Sequence, residues 1–119
     1  IKDNYIVTKD GKKIITYINH IKDANIPEGI EQIGDSAFQN SNMETIKLPT
    51  TLKEIGKDVF AYCGKITEIN IPSNVEKIGN NAFSNCSSLI AINIDKAENT
   101  IGGQPWDAPK GLKVVNWNS

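Results

Sequence analysis

Hydrophobic and polar positions along the chain follow two superposed rhythms. At Ile69-Asn70-Ile71 and Ile92-Asn93-Ile94, apolar residues flank a polar one, the period-two signature of a strand with one face buried. Over a longer range, Ile26-Pro27, Leu48-Pro49 and Ile71-Pro72 recur at spacings of 22 and 23 residues, a period typical of stacked coils. The rest of each coil keeps the same register. An apolar residue follows at Ile30, Leu52 and Val75, then Ile33-Gly34, Ile55-Gly56 and Ile78-Gly79, then Ala37-Phe38, Val59-Phe60 and Ala82-Phe83. After each Phe comes a small residue, Ser41, Cys63 or Cys86, then Met43, Ile66 or Leu89, and then the next strand.

These positions predict the path of one coil. The strand ends at the proline, which cannot donate to a sheet ladder. A second short extended stretch, such as Val75-Glu76-Lys77-Ile78, returns two apolar residues to the interior, and Gly79 is expected to permit a tight bend. Asn80-Asn81-Ala82-Phe83 reads as a short capped helical turn that drives Phe83 inward. Upstream, two β-rich runs between Tyr5 and Tyr17 are separated by Asp10-Gly11, a hairpin signal. Ile21-x-x-Ala24-x-Ile26 is a weaker copy of the strand. Downstream, a degenerate coil places Trp106 where Phe stood, and Leu112, Val115 and Trp117 repeat the strand spacing, as an atypical terminal repeat should.

The pattern I-P-x-x-[VIL]-x-x-I-G-x-x-[AV]-F over residues 26–38, 48–60 and 71–83 resembles the BspA-like leucine-rich repeats. The resemblance covers nearly the whole chain. It departs in the shorter first coil, with four residues between Phe38 and Met43 where the later coils have five, and in the divergent last one. The expected fold is a leucine-rich-repeat solenoid: a right-handed coil of about 22–23 residues per repeat, with a parallel β-sheet on one face, short helical turns opposite and an N-terminal β-hairpin cap. One domain is expected over 1–119, with the cap at 1–20, repeats at 21–45, 46–68 and 69–91, and the divergent repeat at 92–119.

Composition narrows the function. A length of 119 residues with 39% apolar residues suits a single core. Thirteen Lys, no Arg and fourteen acidic residues leave a net charge of −1, so no global field draws nucleic acid, and the side chain best shaped for bidentate phosphate recognition is missing. No apolar run approaches the roughly 20 residues that span a bilayer, so no membrane insertion by this segment is expected. Because the chain opens with Ile1, it reads as a processed product or excised fragment whose targeting segment lay upstream.

The outward positions of the main sheet form two columns, Asp23, Thr45, Glu68, Ala91 and Val114 beside Asn25, Lys47, Asn70, Asn93 and Asn116. They are the candidate binding face, since solenoids commonly bind on surfaces made by stacked repeats. The alternative is a solvated face whose Asn amides bond to one another. A second ladder, Glu31, Lys53, Glu76 and Asn99 beside Gln32, Glu54, Lys77 and Thr100, alternates charge from coil to coil and reads as structural pairing.

Cys63 and Cys86 share one slot in adjacent coils, within disulfide range, but Ser41 fills that slot in the coil before, which argues for small buried groups and reduced thiols. His20 is the sole histidine and lies two or more coils from either cysteine, so neither a Cys-His pair nor a zinc site is expected. Asn85-Cys86-Ser87 matches a glycosylation acceptor, though Cys86 should point inward. Trp106, Pro105, Trp117 and Pro109 suggest either an aromatic sugar-binding patch or closure of the last coil, and the second is favoured. No catalytic residue, metal or cofactor is expected, and no phosphate-loop or nucleophile motif is present.

The resemblance implies a binding or adhesion module of a larger bacterial surface or secreted protein, with a host or matrix protein or a glycan as partner. The alternative is a structural spacer or capping segment without its own ligand. The oligomeric state stays open, because an uncovered edge at Val114–Trp117 calls for either a second chain or a further repeat.

Overall fold

A computed structural model describes residues 5–18, 22–97, 100–103, 106–108 and 114–117. His20, Ile21, Asn99, Pro105, Pro109 and Leu112, which the sequence placed in the repeat pattern or in candidate sites, lie outside the described residues.

From β2 to β9 the chain winds so that successive strands fall alternately on two faces. The main face carries β3 (Asp23–Asn25), β5 (Thr45–Lys47), β7 (Glu68–Ile71), β9 (Ala91–Ile94) and β10 (Val114–Trp117). The second face carries β1 (Tyr5–Val7), β2 (Lys13–Tyr17), β4 (Gln32–Ile33), β6 (Glu54–Ile55) and β8 (Lys77–Ile78), ordered β1-β2-β4-β6-β8. All pairings are parallel except β1 with β2. This is the solenoid expected from the repeat. β1 and β2 form the predicted hairpin. Its turn is closed by a 2.9 Å bond from the Gly11 amide to the Thr8 carbonyl, with Gly11 at φ 75°. The Thr8 hydroxyl also donates to Asp10 at 2.7 Å and holds that carboxyl below the usual carboxylate range.

The third side differs from expectation. No helix occurs among the described residues, and the segments at 35–40, 57–62 and 80–85 are runs of turns. The reason lies in the backbone: Ser36, Asn40, Asp58, Tyr62, Asn81 and Asn85 all sit near φ +60°, the left-handed region that ends a right-handed helix. Alternate amides then bond in two directions. Those of Ala37, Gln39 and Ser41 bond back within the coil to Gly34, Ser36 and Phe38. Those of Ser36, Phe38 and Asn40 bond to the carbonyls of Lys57, Val59 and Ala61 in the next coil, at 2.8–3.1 Å. A helix would satisfy these groups only within itself. The left-handed residues turn half of them into rungs between coils.

The repeated Ile-Gly glycines also act otherwise than predicted. Gly34, Gly56 and Gly79 have no left-handed φ; their role is clearance. A Cβ on Gly79 would lie 2.5 Å from the Lys57 amide nitrogen and 2.6 Å from the Gly56 carbonyl carbon, so these glycines let one coil's backbone pass directly over the last.

Aromatic rings run through the centre of the stack. Tyr17, Phe38, Phe60, Phe83 and Trp106 follow one another with centroid separations of 4.7, 5.8, 5.7 and 6.0 Å. Trp106 therefore occupies the Phe slot, as its sequence position implied, and its indole N–H donates to the Gly102 carbonyl at 2.9 Å. Its burial removes the ring from any surface sugar platform. Cys63 and Cys86 are free and buried, and their thiols donate to the carbonyls of Phe38 and Phe60 in the preceding coils at 3.2 and 2.9 Å. In the equivalent slot Ser41 is also buried, its hydroxyl accepting the Met43 amide at 3.2 Å. Burial pushes the Cys63 thiol up to about 11 and the Cys86 thiol up to about 12, so neither is a nucleophile near neutral pH.

Candidate binding face

Strand alternation decides which side chains reach the main face. In β7 the pattern Glu68-Ile69-Asn70-Ile71 sends both Ile into the core and leaves Glu68 and Asn70 exposed. Parallel registers then stack these positions: Asp23 and Asn25 of β3 lie opposite Thr45 and Lys47 of β5, and Glu68 and Asn70 of β7 lie opposite Ala91 and Asn93 of β9. Val114 and Asn116 of β10 continue the columns by lying opposite Ala91 and Asn93. The ten residues anticipated for this face thus stack in two blocks, one across β3 and β5 and one across β7, β9 and β10.

Within the columns the polar groups bond directionally. Asn93 Nδ2 donates to Asn70 Oδ1 at 2.9 Å and to Glu68 Oε2 at 2.8 Å, and Asn116 Nδ2 donates to Asn93 Oδ1 at 2.7 Å. On β3 and β5 the Thr45 hydroxyl donates to Asp23 at 2.7 Å. Lys47 interrupts the Asn column. Its carbonyl accepts the Ile26 amide at 3.0 Å, but its ammonium makes no hydrogen bond or ion pair among the described residues.

The face is also divided. β3 pairs with β5, and β9 pairs with β7 on one side and β10 on the other, but β5 and β7 belong to different sheets. The division falls where the coil lengthens from 22 to 23 residues and where Lys stands in the Asn column. A shallow groove of about 440 Å³ lies across it, lined by Ile46, Leu48, Ile71 and Pro72 together with Lys47, Asn70, Asn93 and Asp95. Ile46 and Leu48, at 8% and 7% exposure, are the least covered members of the core, as strands parting at this point should leave them. The sequence reading named Lys47, Asn70 and Asn93 and missed Asp95, Pro72 and the apolar part of the groove. The change in spacing was the available signal.

The second face behaves as a structural ladder. Gln32, Glu54 and Lys77 are in register, and Lys53 pairs with Glu31 at 3.6 Å on the surface, where such a pair contributes roughly 0.2–1 kcal/mol. At the neighbouring corner Glu28 accepts bonds from both the hydroxyl and the amide of Thr50. These lower its carboxyl, with a smaller contribution from the charge of Lys47. No group of three metal-ligating side chains occurs among the described residues. No helix is long and apolar enough to cross a membrane.

Six copies of the BspA type leucine rich repeat region match across residues 11–117. The chain belongs to the BspA-type leucine-rich-repeat family. A leucine-rich repeat protein from Bacteroides capillosus has a similar fold over 100% of this chain and 98% of its own, with a TM-score of 0.86 at 21% identity. A leucine rich cell surface protein from Faecalibacterium prausnitzii aligns over 97% of the chain at 19% identity and a TM-score of 0.66. The pneumococcal vaccine antigen PcpA aligns over 97% at 17% identity and a TM-score of 0.68. The chain spans 38% and 35% of the length of these last two. No curated protein matches by sequence. BspA-type repeats thus supply the fold, and leucine-rich-repeat solenoids generally mediate protein interactions through the extended surfaces they create.

Proposed function

We propose that this chain is a protein-binding, adhesion-type module of a bacterial surface or secreted protein, and that its partner contacts the main face around the groove between β5 and β7. The observation that carries this reading is the groove itself. It joins apolar surface from Ile46, Leu48, Ile71 and Pro72 to Lys47, an ammonium without a hydrogen-bond partner among the described residues, and to the amides of Asn70 and Asn93. A few placed polar groups around an apolar depression are what a recognition site needs for orientation and affinity. The names of the structural neighbours from Faecalibacterium and pneumococcus, a cell surface protein and a vaccine antigen, support the surface location.

The test is a binding screen of the intact chain against extracellular-matrix proteins and glycans, run beside a variant with Lys47, Glu68, Asn70 and Asn93 all changed to Ala. The expected result is binding to a protein that is lost in the folded variant. Binding to glycans alone would replace the protein partner with a saccharide. No binding by the intact chain would make it a spacer, with recognition residing elsewhere in the parent protein.

A further inference from the structure

The groove between β5 and β7 is polarised along its length. At one end stands the Lys47 ammonium, which makes no hydrogen bond or ion pair among the described residues. Glu28, a carboxylate that feels its charge, is held by the hydroxyl and the amide of Thr50. At the other end stands Asp95, exposed, at the slot that Pro27, Pro49 and Pro72 fill in the earlier coils. Its amide donates to the Ile71 carbonyl at 3.0 Å, but its carboxylate makes no hydrogen bond or ion pair among the described residues. The adjacent Lys96 ammonium donates instead to the Val75 carbonyl at 2.9 Å. Elsewhere on the main face carboxylates are bonded within the fold, Asp23 to Thr45 and Glu68 to Asn93. Two opposite charges thus stand one coil to either side of Ile71 and Pro72 without pairing.

The dimensions of the groove bear on what fits it. Lys47, Asn70 and Asn93 form one wall, and Pro72 and Asp95 form the other, two residues further along their strands. Two residues of strand measure about 7 Å. A helix, about 10–12 Å across with its side chains, is too wide for that gap, whereas a single extended chain is not. Lengthwise the groove crosses three coils, and two spacings of about 4.8 Å set Lys47 and Asp95 roughly 12 Å apart on the diagonal. An extended chain covers that span in about four residues, and its alternation turns the first, third and fifth side chains toward the same surface. Between the two charges lies Asn70, whose Nδ2 makes no bond among the described residues although its Oδ1 accepts from Asn93.

We infer, taking this groove as the contact site, that its occupant is an extended segment of the partner protein lying along the solenoid axis. An acidic side chain of that segment sits on Lys47, an apolar one lies over Pro72, and a basic one, four residues from the first, sits on Asp95. Asn70 Nδ2 donates to the backbone between them. The two charges also fix the direction of the segment, because reversing it would set like charges together at both ends.

Selection on the intact chain from a library of displayed peptides of about 12 residues tests this, since an extended segment is recognised through its own short sequence. The enriched set is expected to carry an acidic and a basic residue four apart with an apolar residue midway, always in the same order. Lys47→Glu combined with Asp95→Lys exchanges the two charges, and neither side chain makes a bond inside the fold. The melting temperature should hold while the selected order reverses. A synthetic peptide of the wild-type motif should bind this double variant about tenfold more weakly, and exchanging the peptide's own two charges should restore its binding. An enriched set that lacks the paired charges, or that binds the double variant unchanged, overturns the charge-paired segment. If that binding is still lost when Lys47, Glu68, Asn70 and Asn93 are all changed to Ala, the groove remains the contact site. Peptide binding that survives in both variants overturns the groove as well. No enrichment also overturns the extended segment, and a matrix protein that binds the intact chain but not the Ala variant then makes the partner a folded surface.

Discussion

Phe60 and Phe83 stack with ring centroids 5.7 Å apart and planes within 11° of parallel. Phe38 lies on the other side of Phe60 at 5.8 Å, so Phe60 is the middle ring of the column and is fully buried. Phe60→Ala empties the centre of the stack and should cost about 3–5 kcal/mol, a large fraction of the roughly 5–15 kcal/mol that holds a domain folded. Urea denaturation measures it. A loss below about 1 kcal/mol would contradict the column.

The glycine column predicts a contrast. Gly79→Ala forces a methyl into the backbone of Lys57 and Gly56, which cannot retreat without separating coils, and should cost about 1–3 kcal/mol. Gly102→Ala meets nothing within 4 Å and should stay within about 0.5 kcal/mol of wild type. Comparable melting temperatures for the two would show that clearance between coils is not what the glycines provide.

The two thiols set an alkaline limit on stability. Their folded values, about 11 and about 12, lie above the 9.0 of a free thiol, so the unfolded chain loses these protons first as pH rises. Stability from this source is fully present below pH 9 and falls as pH rises through the window from 9 towards 11–12. Cys63→Ser with Cys86→Ser should flatten that decline in a series of denaturant melts. At pH 8 the native chain should resist alkylation by iodoacetamide until it is unfolded.

Asn70→Ala removes an exposed acceptor for Asn93 and should change stability by no more than about 0.5 kcal/mol. A melting curve shifted well beyond that would show that the ladder holds β7 to β9 instead of merely decorating their surface.

The sequence by itself determined the solenoid. Recurrence of the Ile-Pro, Ile-Gly and Phe positions fixed the coil length, the inward residues, the hairpin, the Phe slot taken by Trp106 and the two outward columns, because each follows from strand alternation and a constant period. Local reading went wrong at Asn80-Asn81-Ala82-Phe83, where a capped helical turn was expected. Left-handed backbone at Asn81 and its equivalents instead sends alternate amides to the next coil. It also mistook clearance for a bend at Gly79, since the atoms that exclude a Cβ there belong to a coil 22 residues earlier. Only the tertiary structure decided that the main face divides between β5 and β7, that a groove opens there, and that Asn70, Asn93 and Asn116 bond in series. These depend on how one coil lies against the next, and a repeat period does not encode the small offsets between neighbouring backbones that open or close a hydrogen bond.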